Sequence, residues 1–225
     1  MKSMKAVGAA FLSIGVLGCT PVIVKTDLTV RTPAVGTYAA GTNIVIGDFK
    51  DARSATRPEA EAGENGVLFY REWLRPHALV LNESPVKTLK KAVQDLTQDA
   101  GFILAKDQGA APASDIRVNA ALTGFGAALV GSGRMAATVS FELTFERNGK
   151  VLATKRIKGE VNGDAYVDLQ DVGLKLMKQA MDKALRRTAS YLSSANFQED
   201  VLGMKATKAR APEDDDAETK HDASR

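Results

Sequence analysis

The sequence predicts an α+β domain, with an antiparallel sheet of about four to six strands and two helices packed on one face of that sheet. Two observations lead to this prediction. Between residues 116 and 145, two stretches alternate apolar and polar side chains, which is typical of strands with one buried and one wet face. Residues 85–100 and 168–194 repeat apolar side chains at steps of three and four, which is typical of amphipathic helices.

The alternating stretches predict two long strands, at residues 116–122 and 135–145. An Asn148-Gly149 pair follows the second strand, and this dipeptide favours the tight turn that joins antiparallel neighbours. The returning strand is then expected at residues 151–161. Short apolar runs bounded by turn-forming residues predict further strands at residues 43–49, 66–70 and 102–104.

The first predicted helix carries signals at both ends. Ser84 and Pro85 open it, because Ser suits the N-cap and Pro suits the first helical position. Gly101 ends it, as a glycine just after the last turn commonly does. The apolar stripe of this helix is Val86, Leu89, Val93, Leu96 and Ala100. The stripe of the second helix is Leu174, Met177, Met181, Ala184, Thr188 and Leu192.

The start of the chain indicates a lipoprotein signal. Lys2 and Lys5 precede an apolar run of about 13 residues, too short for a spanning helix of about 20. The run ends in Val16-Leu17-Gly18-Cys19, the pattern known as a lipobox. The Cys19 thiol takes a diacylglycerol group, and the small Gly18 gives the peptidase access to the bond between them. We expect residues 1–18 to be removed and Cys19 to carry acyl chains such as palmitate; a buried cysteine in an ordinary signal is the alternative.

Acylation predicts a location for the protein. One acyl chain binds a membrane only marginally, whereas the two or three chains of a lipoprotein hold it firmly. Thr20 follows the cysteine, at the position where Asp is the usual inner-membrane retention signal in enterobacteria. The sequence therefore favours the outer membrane, with the domain facing the periplasm.

The remainder of the chain divides into three parts. Residues 19–42 are expected to form an extended, lipid-anchored segment and linker, which can add an edge strand. Residues 43–202 are expected to form the single α+β domain, with a charged loop at residues 50–65. Residues 203–225 contain an acidic run and few apolar side chains, which predicts a disordered tail.

The sequence contains no recognisable catalytic or metal-binding constellation. Cys19 is the only cysteine, and once acylated it can serve neither as a nucleophile nor as a zinc ligand. Of the two histidines, His77 is expected in a loop and His221 in the tail. The glycine-rich run at residues 124–133 lacks the Gly-Lys-Ser/Thr ending of a phosphate-binding loop. We expect no enzyme activity, no cofactor and no metal.

The charge balance also excludes one class of partner. The net charge is +3, and removal of Lys2 and Lys5 with the signal leaves about +1. A nucleic-acid partner needs a clustered basic face, so none is expected. Asp48, Asp51 and Asp95 could be imagined as paired carboxylates, but a strand end, a loop charge and a wet helix face are the favoured explanation.

Two stretches are candidates for binding a partner. Residues 124–133 are rich in glycine and are expected to form a flexible connection between strands, from which Phe125, Leu129 and Val130 can contact a partner. Residues 69–75 combine three aromatic side chains with two arginines, a composition enriched at protein interfaces. The candidate contact residues there are Tyr70, Arg71 and Trp73. The alternative is that these rings cover one end of the core.

These features together resemble the YajG-like bacterial lipoproteins. The resemblance rests on the lipobox, on the order of strands and helices over residues 19–202, on Gly101-Phe102 after the first helix, and on the turn at Asn148-Gly149-Lys150. It implies an envelope lipoprotein and supplies no assigned catalytic residues. The charged loop and the acidic tail depart from this layout.

Two functions follow as expectations. The first is a non-enzymatic envelope component, held to the membrane by its acylated N-terminus, that binds or scaffolds an envelope protein or peptidoglycan. The alternative is an auxiliary lipoprotein of a transporter, with lipid or a small apolar ligand bound between sheet and helices. A filled core and an exposed glycine-rich tip would favour the first function, whereas a large, dry, apolar cleft would favour the second.

Overall fold

The structure, a computed structural model, describes residues 22–30, 32–33, 42–54, 65–72, 75–105, 115–131, 133–166 and 168–204. Over these residues the chain forms eight strands and three helices, so the predicted α+β class is confirmed. The predicted signal with Gly18 and Cys19, most of the charged loop and nearly all of the tail lie outside the described residues.

The strands are β1 Val22–Thr26, β2 Asn43–Asp51, β3 Gly66–Glu72, β4 Arg75–Leu81, β5 Ile103–Ala105, β6 Ile116–Leu129, β7 Arg134–Arg147 and β8 Lys150–Asp164. The helices are α1 Pro85–Asp99, α2 Leu169–Leu192 and the short α3 Ala195–Asp200. β1 lies at an edge of the sheet. The sequence allows for such an edge strand in the segment that follows the lipobox.

One mixed sheet contains all eight strands, so the predicted purely antiparallel sheet of four to six strands is wrong in both respects. β6, β7 and β8 are antiparallel neighbours. The other edge of β6 divides, because its first half pairs in parallel with β2 and its second half pairs in parallel with β3. β5 extends the β2 branch, and β4 and then β1 extend the β3 branch. Parallel pairs join segments that are distant in sequence, so local alternation of side chains does not reveal them.

The two long helices cover the sheet around one continuous apolar core. α1 begins at Pro85, and Gly101 follows it with a φ of 89°, as expected for a glycine that ends a helix. The predicted stripe of α2 is buried, apart from Leu174, which is half-buried. Alternate side chains of β6 and β7, among them Val118 and Phe141, fill the space beneath the helices.

The turn between β7 and β8 is the one that the sequence predicts. Asn148 and Gly149 have φ values of 54° and 72°. A two-residue hairpin turn of the favoured type needs positive φ at both central positions, which Asn and Gly tolerate best. The turn therefore sets the pairs Arg147–Lys150 and Glu146–Val151, and a bulge at Leu152 shifts the register by one residue for the rest of the hairpin.

β6 is longer than predicted, and it includes residues that were expected to form a flexible connection between strands. Residues 124–129 continue the strand, and Phe125 is buried with 2 % of its surface exposed. The register with β7 shifts between Leu122 and Gly124, so that the buried positions change from even to odd numbers along β6. The sequence alternation breaks at this bulge, which is why the strand was predicted to end there.

Candidate functional site

The chain connection between β6 and β7 forms a tip together with the residues that follow β8. Leu129 pairs with Met135 at the end of the β6–β7 ladder. Beyond them, the Val130 amide donates to the Arg134 carbonyl over 2.9 Å. The Ala165 amide donates to the Gly133 carbonyl, also over 2.9 Å, and this bond ties the end of β8 to the turn. We call Leu129, Val130, Gly131, Gly133 and Tyr166 the apolar tip.

Two glycines give the tip its shape. Gly131 and Gly133 have φ values of 77° and 72°, a region that other residues rarely adopt. The ring of Tyr166 lies directly on Gly133, because a Cβ added to this glycine would come within 2.0 Å of the Tyr166 Cε1 atom. A larger residue at position 133 would therefore both strain the backbone and displace the tyrosine ring.

The tip exposes large apolar side chains. Leu129, Val130 and Tyr166 are 43 %, 48 % and 76 % exposed. Single exposed apolar residues are normal, but several together on one protruding feature mark a surface that contacts something else. These three side chains account for nearly half of the large exposed apolar residues in the part of the chain that the structure describes.

One basic and two acidic side chains lie near the tip. Arg134 and Asp164 are both exposed and lie opposite each other on β7 and β8. Asp168 is exposed just before α2. The tip is thus an apolar feature with a mixed polar rim, and a partner would be held there mainly by burial of Leu129, Val130 and Tyr166.

The structure separates the predicted contact residues. Leu129 and Val130 lie on the tip, whereas Phe125 belongs to the core, so the proposal of Phe125 as a contact residue is wrong. Tyr70 and Arg71 lie in β3, in a segment for which only the strand pairing is described. Trp73 lies outside the described residues.

Sequence reasoning missed Tyr166. This residue follows β8 and precedes α2, and nothing local distinguishes it from an ordinary loop tyrosine. Its role in the tip depends on its contact with Gly133, which is distant along the chain. His77 also differs from expectation, because it lies half-buried in β4 and not in a loop.

The Arg53 side chain lies at the point along β6 where pairing with β2 ends and pairing with β3 begins. The Arg53 side chain is 9 % exposed, and its guanidinium pairs with both Asp51 carboxylate oxygens, with Nε–Oδ1 and Nη2–Oδ2 distances of 2.9 and 2.7 Å. Its Nη1 donates to the carbonyls of Gly66 at 3.3 Å and Phe125 at 3.4 Å. Arg53 therefore joins the end of β2, the start of β3 and the middle of β6. The bonds from Arg53 hold the pKa of the Asp51 carboxyl below its usual value, against the opposing effect of partial burial.

An open groove of about 430 Å³ lies between β8 and α2. Its basic side chains are already engaged. Arg156 pairs with Glu142 at 2.8 Å, Lys158 pairs with Glu160, and Arg187 donates to the Lys158 carbonyl. A second open groove, of about 460 Å³, is lined by Thr29, Val30, Lys178, Gln179 and Asp182. Both grooves are open to solvent and have mixed polar and apolar linings.

Two general properties can be stated for the described residues. They contain no group of three or more His, Cys, Asp or Glu side chains placed to hold a metal ion. Among their helices, none has both the length and the apolar character needed to cross a membrane.

Comparison with known proteins identifies the fold class. Protein XCC0632 of Xanthomonas campestris, from the DUF330 family, superposes with a TM-score of 0.52 at 15 % sequence identity. The match covers 74 % of this chain and 92 % of that protein. The chain described here therefore shares the mixed α+β fold of a DUF330 protein. No family model matches the sequence, and no curated protein matches it.

Two proteins named as lipoproteins are more distant in structure. A candidate lipoprotein of Caulobacter crescentus gives a TM-score of 0.33 at 16 % identity, over 46 % of this chain and 76 % of its own. Lipoprotein GNA1162 of Neisseria meningitidis gives 0.26 at 14 % identity, over 54 % of this chain and 84 % of its own. These values are too low to establish a common fold.

Proposed function

We propose that this chain is a YajG-like bacterial lipoprotein, anchored by acyl chains on Cys19 to the periplasmic side of the outer membrane. It serves as a non-enzymatic scaffold for an envelope partner, which is a protein or peptidoglycan. The observation that carries this proposal is the lipobox Val16-Leu17-Gly18-Cys19, which only two residues separate from the first strand of a well-packed domain.

The packing of the domain favours a scaffold over a ligand carrier. A carrier for lipid or an apolar ligand needs a large, dry, apolar cavity. Here the space between helices and sheet is filled by fully buried side chains, such as Leu89, Phe141 and Phe197. Large apolar side chains are instead exposed at the surface, and three of them lie together on the apolar tip.

The arrangement of polar groups supports a non-enzymatic role. The Asp51–Arg53 pair connects strands and uses the Arg53 donors on Asp51, Gly66 and Phe125. The exposed ion pairs Arg156–Glu142 and Arg186–Asp182 lie on open surfaces, where water has free access. Such groups stabilise and solubilise the domain, and they do not form an enclosed site in which charge could develop.

Replacement of Cys19 by Ser tests this proposal, with Thr20→Ser as the matched control beside it. In cells supplied with labelled palmitate, the parent and the Thr20→Ser variant should incorporate label and fractionate with membranes. The Cys19→Ser variant should remain as a longer, unlabelled precursor. Incorporation of palmitate into the Cys19→Ser variant at the parental level would refute the lipoprotein assignment.

A further inference from the structure

The strand directions place the start of the domain and the apolar tip at the same edge of the sheet. β1 runs parallel to β4, with Val22 opposite His77. β4 is antiparallel to β3, with His77 opposite Tyr70. Leu68 and Ala127 pair in the parallel ladder of β3 and β6, so Tyr70 and Leu129, each two residues further on, lie at the same level. Val22 and the apolar tip therefore leave the sheet in the same direction.

The distances between these points are short. Neighbouring strands are about 4.8 Å apart, so the three steps from β1 through β4 and β3 to β6 amount to about 14 Å. Cys19 is three residues before Val22, and three residues of extended chain reach at most about 10 Å. The tip continues past the level of Leu129 by the turn residues Val130 and Gly131. An anchor on Cys19 thus holds the bilayer within reach of the tip.

Exposed apolar side chains gather on one protrusion at the end of the sheet near Val22, where Leu129, Val130 and Tyr166 lie together. At the opposite end, Val151 and Ile103 are also exposed, but they lie on β8 and β5, which are separated by three other strands. The clustered apolar surface therefore lies at the end of the sheet at which the chain from Cys19 enters.

We propose that the apolar tip contacts the lipid bilayer that holds Cys19, with Leu129, Val130 and Tyr166 at the headgroup boundary. This inference rests on the proposed function, because it requires the anchor. Apolar side chains of surface-bound proteins enter this boundary by about 5–10 Å. Tyrosine is enriched there because its ring prefers apolar surroundings while its hydroxyl stays in water. The charged side chains beside the tip, Arg134, Asp164 and Asp168, form no basic cluster that would attract anionic lipid, so the contact depends on apolar burial more than on lipid charge.

The second contact point fixes the orientation of the domain. A single anchor through a short chain would let the domain rotate about Cys19. With the tip also seated on the bilayer, the β7–β8 turn and the groove between β8 and α2 face the periplasm. These are then the surfaces available to an envelope partner.

A site-specific fluorescence experiment tests the contact on the full, acylated protein. Because the Cys19 sulfur is occupied by lipid, Val130→Cys introduces one reactive thiol, which is labelled with the environment-sensitive dye NBD. Val151→Cys is the matched control, since Val130 and Val151 are 48 % and 52 % exposed at opposite ends of the sheet. Each labelled protein is reconstituted into vesicles of phosphatidylethanolamine and phosphatidylglycerol, with and without a spin-labelled lipid that quenches NBD.

We expect the label at position 130 to shift its emission to the blue and to lose intensity with the spin-labelled lipid, while the label at position 151 does neither. Equal, water-like emission at both positions in protein that floats with the vesicles would overturn the tip contact and leave the lipoprotein assignment intact. A blue shift at position 130 without lipid quenching would overturn it in favour of a second copy of the chain. Protein that carries no acyl chain and fails to float would refute the anchor and the tip contact together.

Discussion

Gly159 of β8 lies directly beneath the Ala180 carbonyl of α2, so close that a Cβ added to the glycine would be 2.0 Å from the Ala180 oxygen. The same Cβ would lie 2.7 Å from the Ala184 amide nitrogen. The helix backbone can therefore rest on the strand backbone at this point only because residue 159 has no side chain. This contact sets the height of α2 above the sheet.

Replacing Gly159 with Ala should destabilise the domain, because the obstructing atoms belong to the α2 backbone and cannot rotate away. Overpacking of this kind costs about 1–3 kcal/mol in the free energy of unfolding. Urea denaturation followed by circular dichroism measures the loss. Gly163→Ala is the control in the same strand, where the added methyl meets the movable end of the Leu176 side chain. An equal loss in the two variants would contradict the close backbone contact.

The Asp51–Arg53 pair should make stability depend on pH in the acid range. The pKa of Asp51 is lowered in the folded state, chiefly by the hydrogen bonds from Arg53. Stability from this pair is therefore fully present above the usual Asp pKa of 3.8, and it is lost as the pH falls through the lower, folded-state pKa. Asp51→Asn should reduce the free energy of unfolding by about 1 kcal/mol at pH 7. The difference in the free energy of unfolding between the parent and Asp51→Asn should become smaller as the pH falls.

Urea titrations of parent and Asp51→Asn protein at pH 7 and at acid pH measure this effect. Asp182→Asn provides a control, because Asp182 pairs with Arg186 on an exposed helix surface. Such pairs contribute little to stability. A gap between parent and Asp51→Asn that stays constant over the acid range would show that ionisation of Asp51 does not stabilise the fold.

Substitution at the tip should separate contact from folding. Leu129→Asp and Val130→Asp should change the free energy of unfolding by no more than about 0.5 kcal/mol, since surface changes away from packed features usually stay within this range. The same variants should lose the lipid quenching expected at the tip, because a carboxylate resists entry into an apolar boundary. For the quenching measurement the label is placed at whichever of the two positions is not substituted.

Phe125→Ala gives the contrasting case. Phe125 is a buried residue of β6, and truncation of a buried Phe typically costs about 3–5 kcal/mol. Urea denaturation should thus give a much lower free energy of unfolding for Phe125→Ala than for either tip variant. Similar large losses at positions 125, 129 and 130 would place the tip residues in the core and remove the proposed surface.

Local patterns predicted the parts of this fold that depend on neighbours in sequence. The helix start at Pro85, the glycine stop at Gly101 and the Asn148-Gly149 turn each follow from a few adjacent residues. The parallel pairing of β2 and β3 with β6 could not be predicted in this way, because it joins segments separated by a helix and loops. The bulge after Leu122 reversed the alternation and hid the second half of β6.

The candidate site, too, could be predicted only in part from residues that are neighbours in sequence. Leu129 and Val130 could be singled out because apolar residues beside glycines are unusual in a strand connection. Tyr166 could not, since its partner Gly133 becomes a neighbour only when β8 returns to the start of β7. Phe125 was misplaced because its burial depends on a register shift that composition does not reveal.

The direction of β1 also determines how the domain would bear mechanical load. A pull from the bilayer through Cys19 would act along the axis of β1, whose five residues pair in parallel with β4 from Val22–His77 to Thr26–Leu81. Force applied along a strand shears all of its interstrand hydrogen bonds together, whereas force across the sheet would peel them apart one by one. With the anchor proposed at Cys19, traction from the membrane would therefore load this edge strand in its most resistant direction.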